Sequence, residues 1–366
     1  MKQNKAYKFR IYPNEEQKIL FAKTFGCTRF IYNKMLSDKI DYYKQTKQKL
    51  NNTPAQYKIE FEWLKEVDSL ALANAQMNLQ KAFTNFFTNT KSGFPKFKCK
   101  HKNKKSYTTN NQRNTITLEN GFLKLPKLVD LVKVKQHKQI PKDYKIKSVT
   151  ISQTPSEKYY ASILCEYDNQ IQTIEPKTFL GLDFSMKELY VASDETSADY
   201  PRYFRKSQEK LAREQRKLSR CVIGSKNRAK QRLKVAKLHE KVSNQRKDFL
   251  HKLSRQIANA YDCICIEDLD MKAMSQALNF GKSVADNGWG IFTTFLKYKL
   301  ENLGKQLIKI DRWFPSSKTC SNCNHIKEDL SLNDRIYHCD CCGITINRDY
   351  NASINIRNQG IKLVIS

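Results

Sequence analysis

Two pairs of cysteines constrain the fold of this chain more than any other feature of its sequence. Each pair has the spacing C-x-x-C, at 320–323 and 339–342, and 15 residues lie between the pairs. A C-x-x-C segment can turn so that both sulfurs face one ion, and two such turns complete a tetrahedral site for zinc. Cys341 could replace the last ligand in a shifted register, but Gly343 favours the turn that uses residue 342. The sequence therefore predicts one structural Zn²⁺ with the ligands Cys320, Cys323, Cys339 and Cys342.

A carboxylate follows this cysteine-rich segment at a short distance. Asp349 lies seven residues after Cys342, in a segment whose apolar spacing predicts a helix that begins beside Asn347. The metal site would then deliver a carboxylate to a defined place on the first turn of a helix. The alternative is that Asp349 only caps its helix, as a first-turn Asp usually does, and for this residue taken alone the question stays open.

The charge of the chain indicates its class of partner. Its 366 residues include 66 Lys and Arg against 36 Asp and Glu, a formal charge of +30, while 40% of the residues are hydrophobic. A chain of this length can form two or three domains with cores of their own. A folded protein with such a positive field is expected to bind a phosphate polymer.

The sequence argues against a membrane or secreted protein. It contains no run of ~18 apolar residues, and its first residues lack the apolar segment of a signal peptide. We therefore expect a soluble, intracellular protein with no membrane partner. Six cysteines outside the metal spacing are expected to be reduced. They are Cys27, Cys99, Cys165, Cys221, Cys263 and Cys265.

The first hundred residues have the pattern of one strand followed by helices. Residues 5–13, KAYKFRIYP, alternate in character and end at a proline, which predicts a strand. Apolar residues recur at helical spacing from Glu15 to about Tyr43 and from Trp63 to Phe87, as core packing alone would explain. The basic stretch 93–105 has no periodicity. We interpret it as a linker that touches nucleic acid, although a solvated charge run is the ordinary explanation.

Residues 106–172 have the pattern of antiparallel strands. Asn120-Gly121 between alternating segments predicts a type I′ hairpin, and a second hairpin turns around Pro155 to Lys158. We infer a small antiparallel barrel. The strand at 5–13 has no partner nearby, so by elimination it pairs with this barrel, and the helical region becomes an insertion between barrel strands.

Residues 205–255 predict a basic helical hairpin. They contain 18 Lys or Arg against four Asp or Glu, with apolar residues at helical intervals and a break at Gly224-Ser225. The ordinary explanation is a solvated pair of helices. Because an excess of cations this large repels itself, we favour a track for nucleic acid.

Three carboxylates in the second half of the chain follow a recurring order. Asp183 lies inside the apolar strand FLGLDF, Glu267 ends the strand YDCICIEDL, and Asp349 heads the last helix. A carboxylate in an apolar strand is costly to bury unless it holds a cation. The order strand, hairpin, helices, strand, helix, strand, helix is that of ribonuclease H-like nucleases, in which a bridging carboxylate holds two Mg²⁺ ions ~4 Å apart. The sequence therefore predicts that these three acids are catalytic and bind Mg²⁺.

A series of short motifs covers nearly every residue from 5 to 358. They are KAYKFRIYPNEEQ, FGCTRFIYN, WLKEVDSLAL, AFTNFF, GFPKFK, LPKL, GLDF, QRKDFLHKL, IEDL, DNGWGIF, FPSSKTCSNC and CGITINRDYNASINI. Through them the chain resembles the TnpB family of transposon-encoded, RNA-guided DNA endonucleases, which are compact relatives of the type V CRISPR effectors. Ser185 stands where Gly is common in the family, and Ser353 replaces an Ala, but neither departure removes a ligand.

The resemblance implies a multidomain α+β fold. A wedge β-barrel with an inserted helical recognition lobe would precede a ribonuclease H-like (RuvC) α/β nuclease domain that a Cys₄ zinc ribbon interrupts. The expected boundaries are 1–13 for the first barrel strand, 14–100 for the helical lobe, 101–177 for the rest of the barrel, 178–313 for the nuclease domain, 314–348 for a zinc ribbon that binds target nucleic acid, and 349–366 for the C-terminal nuclease segment.

The resemblance also implies partners and cofactors. A guide RNA from the transposon end would pair with one strand of a double-stranded DNA target, and the protein would read only a short motif beside it. Zn²⁺ and two Mg²⁺ ions would be its cofactors, and the protein would be cytoplasmic and nucleoid-associated in a prokaryote. Candidates for reading the adjacent motif are Ser69, Leu70, Gln112, Arg113 and Asn114. Candidates for phosphate contacts in the basic hairpin are Arg213, Arg216, Lys217 and Arg220.

Two other functions compete with RNA-guided cutting of DNA. A transposase that joins strands needs a nucleophilic Tyr with a paired-His metal site, or an acidic triad with helices that bind terminal repeats, and the sequence has no H-x-H pair. A zinc-ribbon DNA-binding protein or transposition regulator that does not cut should have lost at least one of the three acids. All three are present, so the sequence favours the endonuclease.

Overall fold

The computed structural model describes residues 2–277, 287–331 and 334–365 of the chain. The chain divides into two units, the first ending at Gln170 and the second beginning at Ile171. Each unit contains a β-sheet and an apolar core of its own. The protein is therefore mixed α+β, as the sequence predicts, while the finer domain boundaries stay predictions.

The first unit is built on a seven-stranded antiparallel sheet. Its strands are β1 (Lys2–Tyr12), β2 (Lys105–Asn110), β3 (Thr117–Glu119), β4 (Phe122–Lys124), β5 (Val132–Lys135), β6 (Lys145–Gln153) and β7 (Tyr159–Asp168). They are hydrogen-bonded in the order β2-β6-β7-β1-β5-β4-β3. The sheet is a half-barrel, because the edge strands β2 and β3, both fully described, are not paired with each other. The sequence thus predicts the strands and their pairing but not the open edge.

The first strand lies inside this sheet although its partners are distant in sequence. β1 pairs with β7, where Phe9 is opposite Ala161, and with β5, where Ile11 is opposite Val134. Phe9 and Ile11 are buried and alternate with more exposed residues, as expected for a strand with one face on the core. The pairing confirms that the helices after β1 are inserted between strands of one sheet.

Two tight turns set the register of the neighbouring strands. Asn120 and Gly121 have φ angles of 50° and 77°, so both adopt the left-handed conformation that a type I′ turn requires. Between β6 and β7, the N–H of Thr154 donates to the carbonyl of Lys158 at 2.8 Å. Both hairpins therefore form where the sequence predicts them.

The two long helices of the first unit begin at polar caps. They are α1 (Glu15–Thr46), α2 (Tyr57–Glu60) and α3 (Ser69–Thr88), with a 3₁₀ turn at Glu62–Glu66. In α1, the side chains of Asn14 and Gln17 each accept a hydrogen bond from the backbone N–H of the other. The prediction of one helix from Trp63 to Phe87 is wrong at its start, because Asp68 caps α3 and interrupts the apolar pattern in a non-helical conformation.

The second unit contains a four-stranded mixed sheet. Its strands are β8 (Phe179–Ser185), β9 (Leu189–Ala192), β10 (Cys263–Glu267) and β11 (Gln306–Ile310). They are hydrogen-bonded in the order β11-β10-β8-β9. β10 runs parallel to both of its neighbours, and β9 runs antiparallel to β8. β10 is buried along nearly its whole length, which explains its continuous apolar sequence.

The helices of the second unit include the predicted basic hairpin. They are α4 (Tyr203–Arg220), α5 (Lys226–Ala260), α6 (Met271–Ala277), α7 (Trp289–Glu301) and α8 (Arg348–Ile365). Gly224, with a φ of 86°, and Ser225, whose hydroxyl accepts from the N–H of Arg228 at 3.1 Å, connect α4 to α5. Across the described ranges, no helix combines the length and apolar character needed to cross a bilayer.

Two glycines allow α8 to pack closely against the sheet. A Cβ atom at Gly181 would overlap the carbonyl oxygen of Ser353 and the backbone of Arg357, and one at Gly360 would overlap the sulfur of Cys265. The backbones of α8 and β8 therefore meet without an intervening side chain at Gly181, and at Gly360 the backbone of α8 lies directly against the side chain of Cys265. Since alternate residues of a strand share a face, the contact at Gly181 places α8 over the face of β8 that carries Asp183.

We predict that Gly181→Ala destabilises the protein, because the added methyl group must displace the backbone of α8. The expected loss is about 1–3 kcal/mol in the free energy of unfolding, the usual cost of overpacking. Gly290→Ala is the matched control, since nothing lies within 4 Å of an added Cβ there. It should be neutral or stabilise α7 by up to about 1 kcal/mol. Denaturant unfolding measures both, and equal effects would show that close packing at Gly181 does not limit the fold.

Candidate active site and metal centre

Asp183 and Glu267 lie side by side on neighbouring parallel strands. Leu182 of β8 is paired with Ile266 of β10, and the next residue on each strand is an acid. The carboxyl ends of parallel strands meet at one edge of a sheet, where ligand sites of α/β folds form. The register therefore places these two carboxylates at the same edge.

Asp349 approaches this edge from the first turn of α8. The side chain of Asn347 accepts hydrogen bonds from the backbone N–H groups of Asp349 and Tyr350, at 3.0 and 3.1 Å. Asn347 is therefore the residue that caps the helix, and the carboxylate of Asp349 does not have that task. Nε of Arg348 lies 3.5 Å from Oδ1 of Asp349.

The three acids line one cavity of the second unit. It measures about 950 Å³, and its walls come from the ends of β8 and β10, the segment after β11, and the start of α8. Basic side chains share these walls, and they are Lys187, Arg312, Lys318, Arg335 and Arg348. Of these, Arg312 is paired with Asp268, with 3.3 Å between Nη2 and Oδ2. A carboxylate cluster with cations around it can hold both a metal ion and a phosphate.

The charges in this cavity act on one another. Burial raises the pKa of Asp183 well above its usual range, and the negative charges of Glu267 and Asp349 raise it further, while Arg348 opposes them. Burial also raises the pKa of Glu267. Asp183 is thus the acid whose charge interacts with both of the others.

Ser316 fixes the orientation of Glu267. Its hydroxyl donates a short hydrogen bond to Oε1 of Glu267, and this bond lowers the pKa that burial raises. Ser316 belongs to the segment FPSSKTCSNC, which marked the resemblance, although nothing in the sequence assigned a role to it. The contact between this hydroxyl and the Glu267 carboxylate joins residues far apart in sequence, so only the folded structure reveals it.

The donor atoms of the acid cavity suit a hard cation. Carboxylate oxygens are the ligands that Mg²⁺ takes in proteins. Asp183, Glu267 and Asp349 line this cavity together, so they are the residues that would hold such an ion.

The four predicted cysteines form a separate cluster. The sulfurs of Cys320, Cys323, Cys339 and Cys342 all lie within 4.8 Å of one another. The distances are 3.6 Å between the sulfurs of Cys320 and Cys342 and 3.5 Å between those of Cys323 and Cys339. Cys341 is exposed and lies outside the group. Four sulfurs at this spacing fit a tetrahedral Zn²⁺ site.

Two similar turns build this cluster. In the first, Asn324 has a φ of 62° and its N–H donates to the carbonyl of Cys320 at 2.9 Å. In the second, Gly343 has a φ of 71° and its N–H donates to the carbonyl of Cys339 at 2.9 Å. The short strands β12 (Ile336–His338) and β13 (Thr345–Asn347) pair around the second turn. The arrangement is a small metal ribbon.

A buried pair of amides joins the ribbon to α8. Nδ2 of Asn351 donates to the carbonyl of Thr319 at 2.7 Å, and its Oδ1 accepts from the N–H of Ser321 at 2.9 Å. Nδ2 of Asn355 donates to the carbonyls of Ser316 and Thr319, at 2.8 and 2.6 Å. Sequence reasoning missed this role. The available signal was the spacing of the two Asn residues, which places both on one face of a helix.

The four candidate residues of the basic hairpin are all exposed on α4 but differ in their partners. Arg213 and Lys217 lie 3.7 and 3.8 Å from Oε1 of the buried Glu214. Hydrogen bonds from Gln231 and Lys234 of α5 lower the pKa of Glu214 to about 2. Arg216 and Arg220 have no carboxylate within 4.0 Å among the residues described. These two are therefore the candidates whose charges are freer to contact a phosphate.

The candidates for reading an adjacent motif lie in the first unit at two connected places. Ser69 and Leu70 begin α3, and residues 112–114 form an exposed turn between β2 and β3. In this turn Arg113 and Asn114 have φ angles of 51° and 57°. Asp68 connects the two places, because its side chain accepts from the N–H of Leu70 and from the hydroxyl of Thr109 on β2.

Comparison with known families covers most of the chain. A family described as "Probable transposase" matches residues 162–278, and one described as "Cas12f1-like, TNB domain" matches residues 289–356. A family described as "Helix-turn-helix domain" matches residues 1–48, where the structure has β1 followed by α1.

Similar proteins extend the match over the whole length. A "Putative RNA-guided DNA endonuclease" of Streptomyces pristinaespiralis is 33% identical over 98% of this chain and 89% of its own. A "Putative RNA-guided DNA endonuclease InsQ" of Escherichia coli (strain K12) is 29% identical over 98% of this chain and 93% of its own. A solved Cas12f1–sgRNA–target DNA complex matches 98% of this chain and 99% of the Cas12f1 chain with a TM-score of 0.63. Its identity of 15% makes this a likeness of fold.

We predict that the protein holds one Zn²⁺ per chain through the cysteine cluster. Cys342→Ser should lose zinc and loosen the ribbon, because a ligand is removed, whereas Cys341→Ser should retain zinc fully. Metal analysis of the purified variants by mass spectrometry gives the ratio of zinc to protein. Full zinc in the first variant with loss in the second would place the ligand at residue 341 instead.

We also predict that α4 contacts phosphates through its free arginines. Arg216→Gln with Arg220→Gln should weaken nucleic-acid binding equally across sequences and flatten the slope of log K against log salt by roughly 0.7–0.9 per lost contact. Arg213→Gln with Lys217→Gln removes the same charge from residues already paired with Glu214, so its effect should be smaller. Titrations at several salt concentrations measure both slopes. Unchanged slopes in both variants would show that the hairpin is a solvated pair of helices that does not contact phosphates.

Proposed function

The chain belongs to the TnpB family of RNA-guided DNA endonucleases, and we propose that it cuts double-stranded DNA by Mg²⁺-dependent hydrolysis beside a short adjacent motif. The observation that carries this proposal is the acid cavity, in which Asp183, Glu267 and Asp349 converge from two strands and a helix. Three separate elements supply one acid each, and the register of β8 and β10 fixes two of them.

The residues of the cavity have distinct roles in this proposal. Asp183, Glu267 and Asp349 would hold the Mg²⁺ ions together, and Asp183 is the acid whose charge interacts with both of the others. Ser316 holds Glu267 in position through its hydroxyl. The chemistry that two Mg²⁺ ions supply when bound is activation of the attacking water and stabilisation of the leaving oxygen.

The cations of the cavity bind the DNA strand. Lys187, Lys318 and Arg335 line the walls beside the acids, where their charges attract the phosphates on either side of the scissile bond. Arg348 stands next to Asp349 and limits the repulsion among the three carboxylates. The protein thus offers negative charge to the metal ions and positive charge to the DNA backbone within one cavity.

A guide RNA from the transposon end supplies the sequence specificity. Base pairing with the target strand reads the sequence, and the protein reads only the adjacent motif. We assign that reading to Ser69, Leu70, Gln112, Arg113 and Asn114, whose two segments Asp68 connects. The basic hairpin follows the phosphates of the guide–target duplex or of the RNA scaffold. The protein works where prokaryotic DNA lies, in the cytoplasm.

The test is replacement of each acid by its amide. Asp183→Asn, Glu267→Gln and Asp349→Asn should each reduce Mg²⁺-dependent cleavage by more than about 10³-fold, because several kcal/mol of metal-supplied charge stabilisation is lost. Binding of guide RNA and target DNA should stay within about twofold, since the acids touch no base. Cleavage of labelled target DNA by the purified ribonucleoprotein measures the cleavage rate, and filter binding measures the affinity for guide RNA and target DNA.

Glu301→Gln is the matched control for these variants. Glu301 is an exposed acid at the end of α7, so its amide should cut at the rate of the unaltered protein. Substantial cutting by any of the three cavity variants would remove that residue from the site. Tight guided binding without any cutting by the unaltered protein would favour a regulator, and covalent joining of DNA ends would favour a transposase.

A further inference from the structure

A second cavity, in the first unit, is lined by basic and neutral side chains. It measures about 400 Å³ and lies between α1 and the segment 98–106. Among the residues that the structure describes, no acidic one lines it. Its basic lining residues are Arg29, Lys98, Lys102, Lys104 and Lys105. This basic cavity lies in the stretch that the sequence left as either a nucleic-acid contact or a solvated charge run.

The positive charges of the basic cavity lack nearby carboxylates. Within the described ranges, Arg29, Lys98, Lys102 and Lys104 have no carboxylate oxygen within 4.0 Å. The ammonium of Lys105 donates to Oε1 of Gln153 at 3.1 Å. Cations gathered around a concave surface repel one another, and the protein wall strengthens the repulsion. A bound anion would offset it.

Hydrogen bonds hold the segment of the basic cavity in shape. Oδ1 of Asn33 on α1 accepts from the N–H of Lys98 at 2.7 Å, and Nδ2 of Asn33 donates to the carbonyl of Lys98 at 2.9 Å. The N–H of Cys99 donates to Oδ1 of Asn103 at 2.6 Å. Because the loop is already ordered, a ligand does not have to order it on binding. A solvated charge run has no such internal bonding.

Hydrogen bonds, positive charge and burial shift the pKa values of two groups at the basic cavity. Backbone N–H groups of His101 and Lys102 donate to the sulfur of Cys99, and these bonds, with the charges of Lys102 and Arg29, lower the pKa of Cys99. Burial lowers the pKa of Lys98, whose Nζ lies 3.9 Å from the centre of the Tyr32 ring. At Cys99 the cavity therefore favours negative charge.

We propose that the basic cavity binds a phosphate group of a polynucleotide backbone. Guanidinium, ammonium and backbone N–H groups are the donors that phosphate oxygens accept from in proteins. The ring of Phe97, which is 56% exposed beside Lys98, offers a stacking surface for a neighbouring base. The proposal rests on the proposed function and deepens it, since it gives the first unit a phosphate anchor of its own. The phosphate belongs to RNA or to DNA, and the test separates these sources.

The test compares two variants with the same loss of charge. The cavity variant is Arg29→Gln, Lys102→Gln and Lys104→Gln. The control variant is Lys91→Gln, Lys96→Gln and Lys100→Gln, three exposed lysines of the same region that do not line the cavity. The probes are a fluorescent single-stranded RNA and a fluorescent duplex DNA of the same sequence, each titrated at several salt concentrations.

We expect the cavity variant to bind one probe roughly ten- to hundredfold more weakly at 0.1 M salt, with a slope of log K against log salt about 2 units flatter. The control variant should lose less than about threefold, because its charges stand on the open surface. A Lys102→Arg with Lys104→Arg variant should bind as the unaltered protein does, which separates loss of charge from loss of fold. The probe that weakens identifies the source of the phosphate.

Cys99 supplies a second measurement inside the basic cavity. Its alkylation by N-ethylmaleimide, followed by peptide mass mapping, should slow when the bound probe covers the cavity in the unaltered protein and the control variant. In the cavity variant the probe should give no such protection. Equal affinities and slopes in the two charge variants for both probes, without protection of Cys99, would overturn the proposal.

The outcome for the basic cavity is distinguishable from the outcome for the acid cavity. If the unaltered protein cuts guided DNA and the cavity variant binds both probes as well as the unaltered protein does, the proposed function is supported and the phosphate anchor is wrong. If the unaltered protein never cuts but the cavity variant binds one probe more weakly, the phosphate anchor is supported and the proposed function is wrong.

Discussion

The second unit depends on the close approach of α8 to its sheet. Hydrogen bonding between β8 and β10 fixes two acids, but the third reaches them only because Gly181 and Gly360 leave room for a helix backbone. Three carboxylates at one edge repel one another, and the raised pKa of Asp183 reflects that repulsion together with burial. Packing along the rest of α8 must therefore outweigh an unfavourable interaction at its first turn, as is common where stability and function compete.

The metal ribbon influences this edge without contributing an atom to it. Its first turn is hydrogen-bonded to α8 through Asn351 and Asn355, and the same segment carries Ser316, which bonds to Glu267. A buried amide pair that loses its partners is costly. Loosening of the cysteine cluster would therefore shift the orientation of one acid and the position of the helix that carries another.

The sequence predicted the helices, strands and turns more fully than the contacts between them. Local signals marked the strand at β1, the Asn120-Gly121 turn and the break at Gly224, because turn and strand preferences act over a few residues. Charge, cysteine spacing and the order of the acids indicated the two candidate sites. The roles of Ser316 and Glu214 could not be predicted, since each depends on a partner that folding brings from another element. The break at Asp68 was missed because apolar spacing continues through it.

The position of α8 in the chain has a consequence for synthesis of the protein. While residues up to β11 emerge from the ribosome, the sheet can form with the acids of β8 and β10 in place, but the third acid does not yet exist. A nascent or truncated chain that stops before α8 therefore carries the basic hairpin with an incomplete acid set. Because the contact between β8 and α8 joins residues far apart in sequence, it is also expected to form late in folding. If the three acids cut DNA as proposed, a chain without α8 cannot cut, and the cutting site is completed only after α8 has been made.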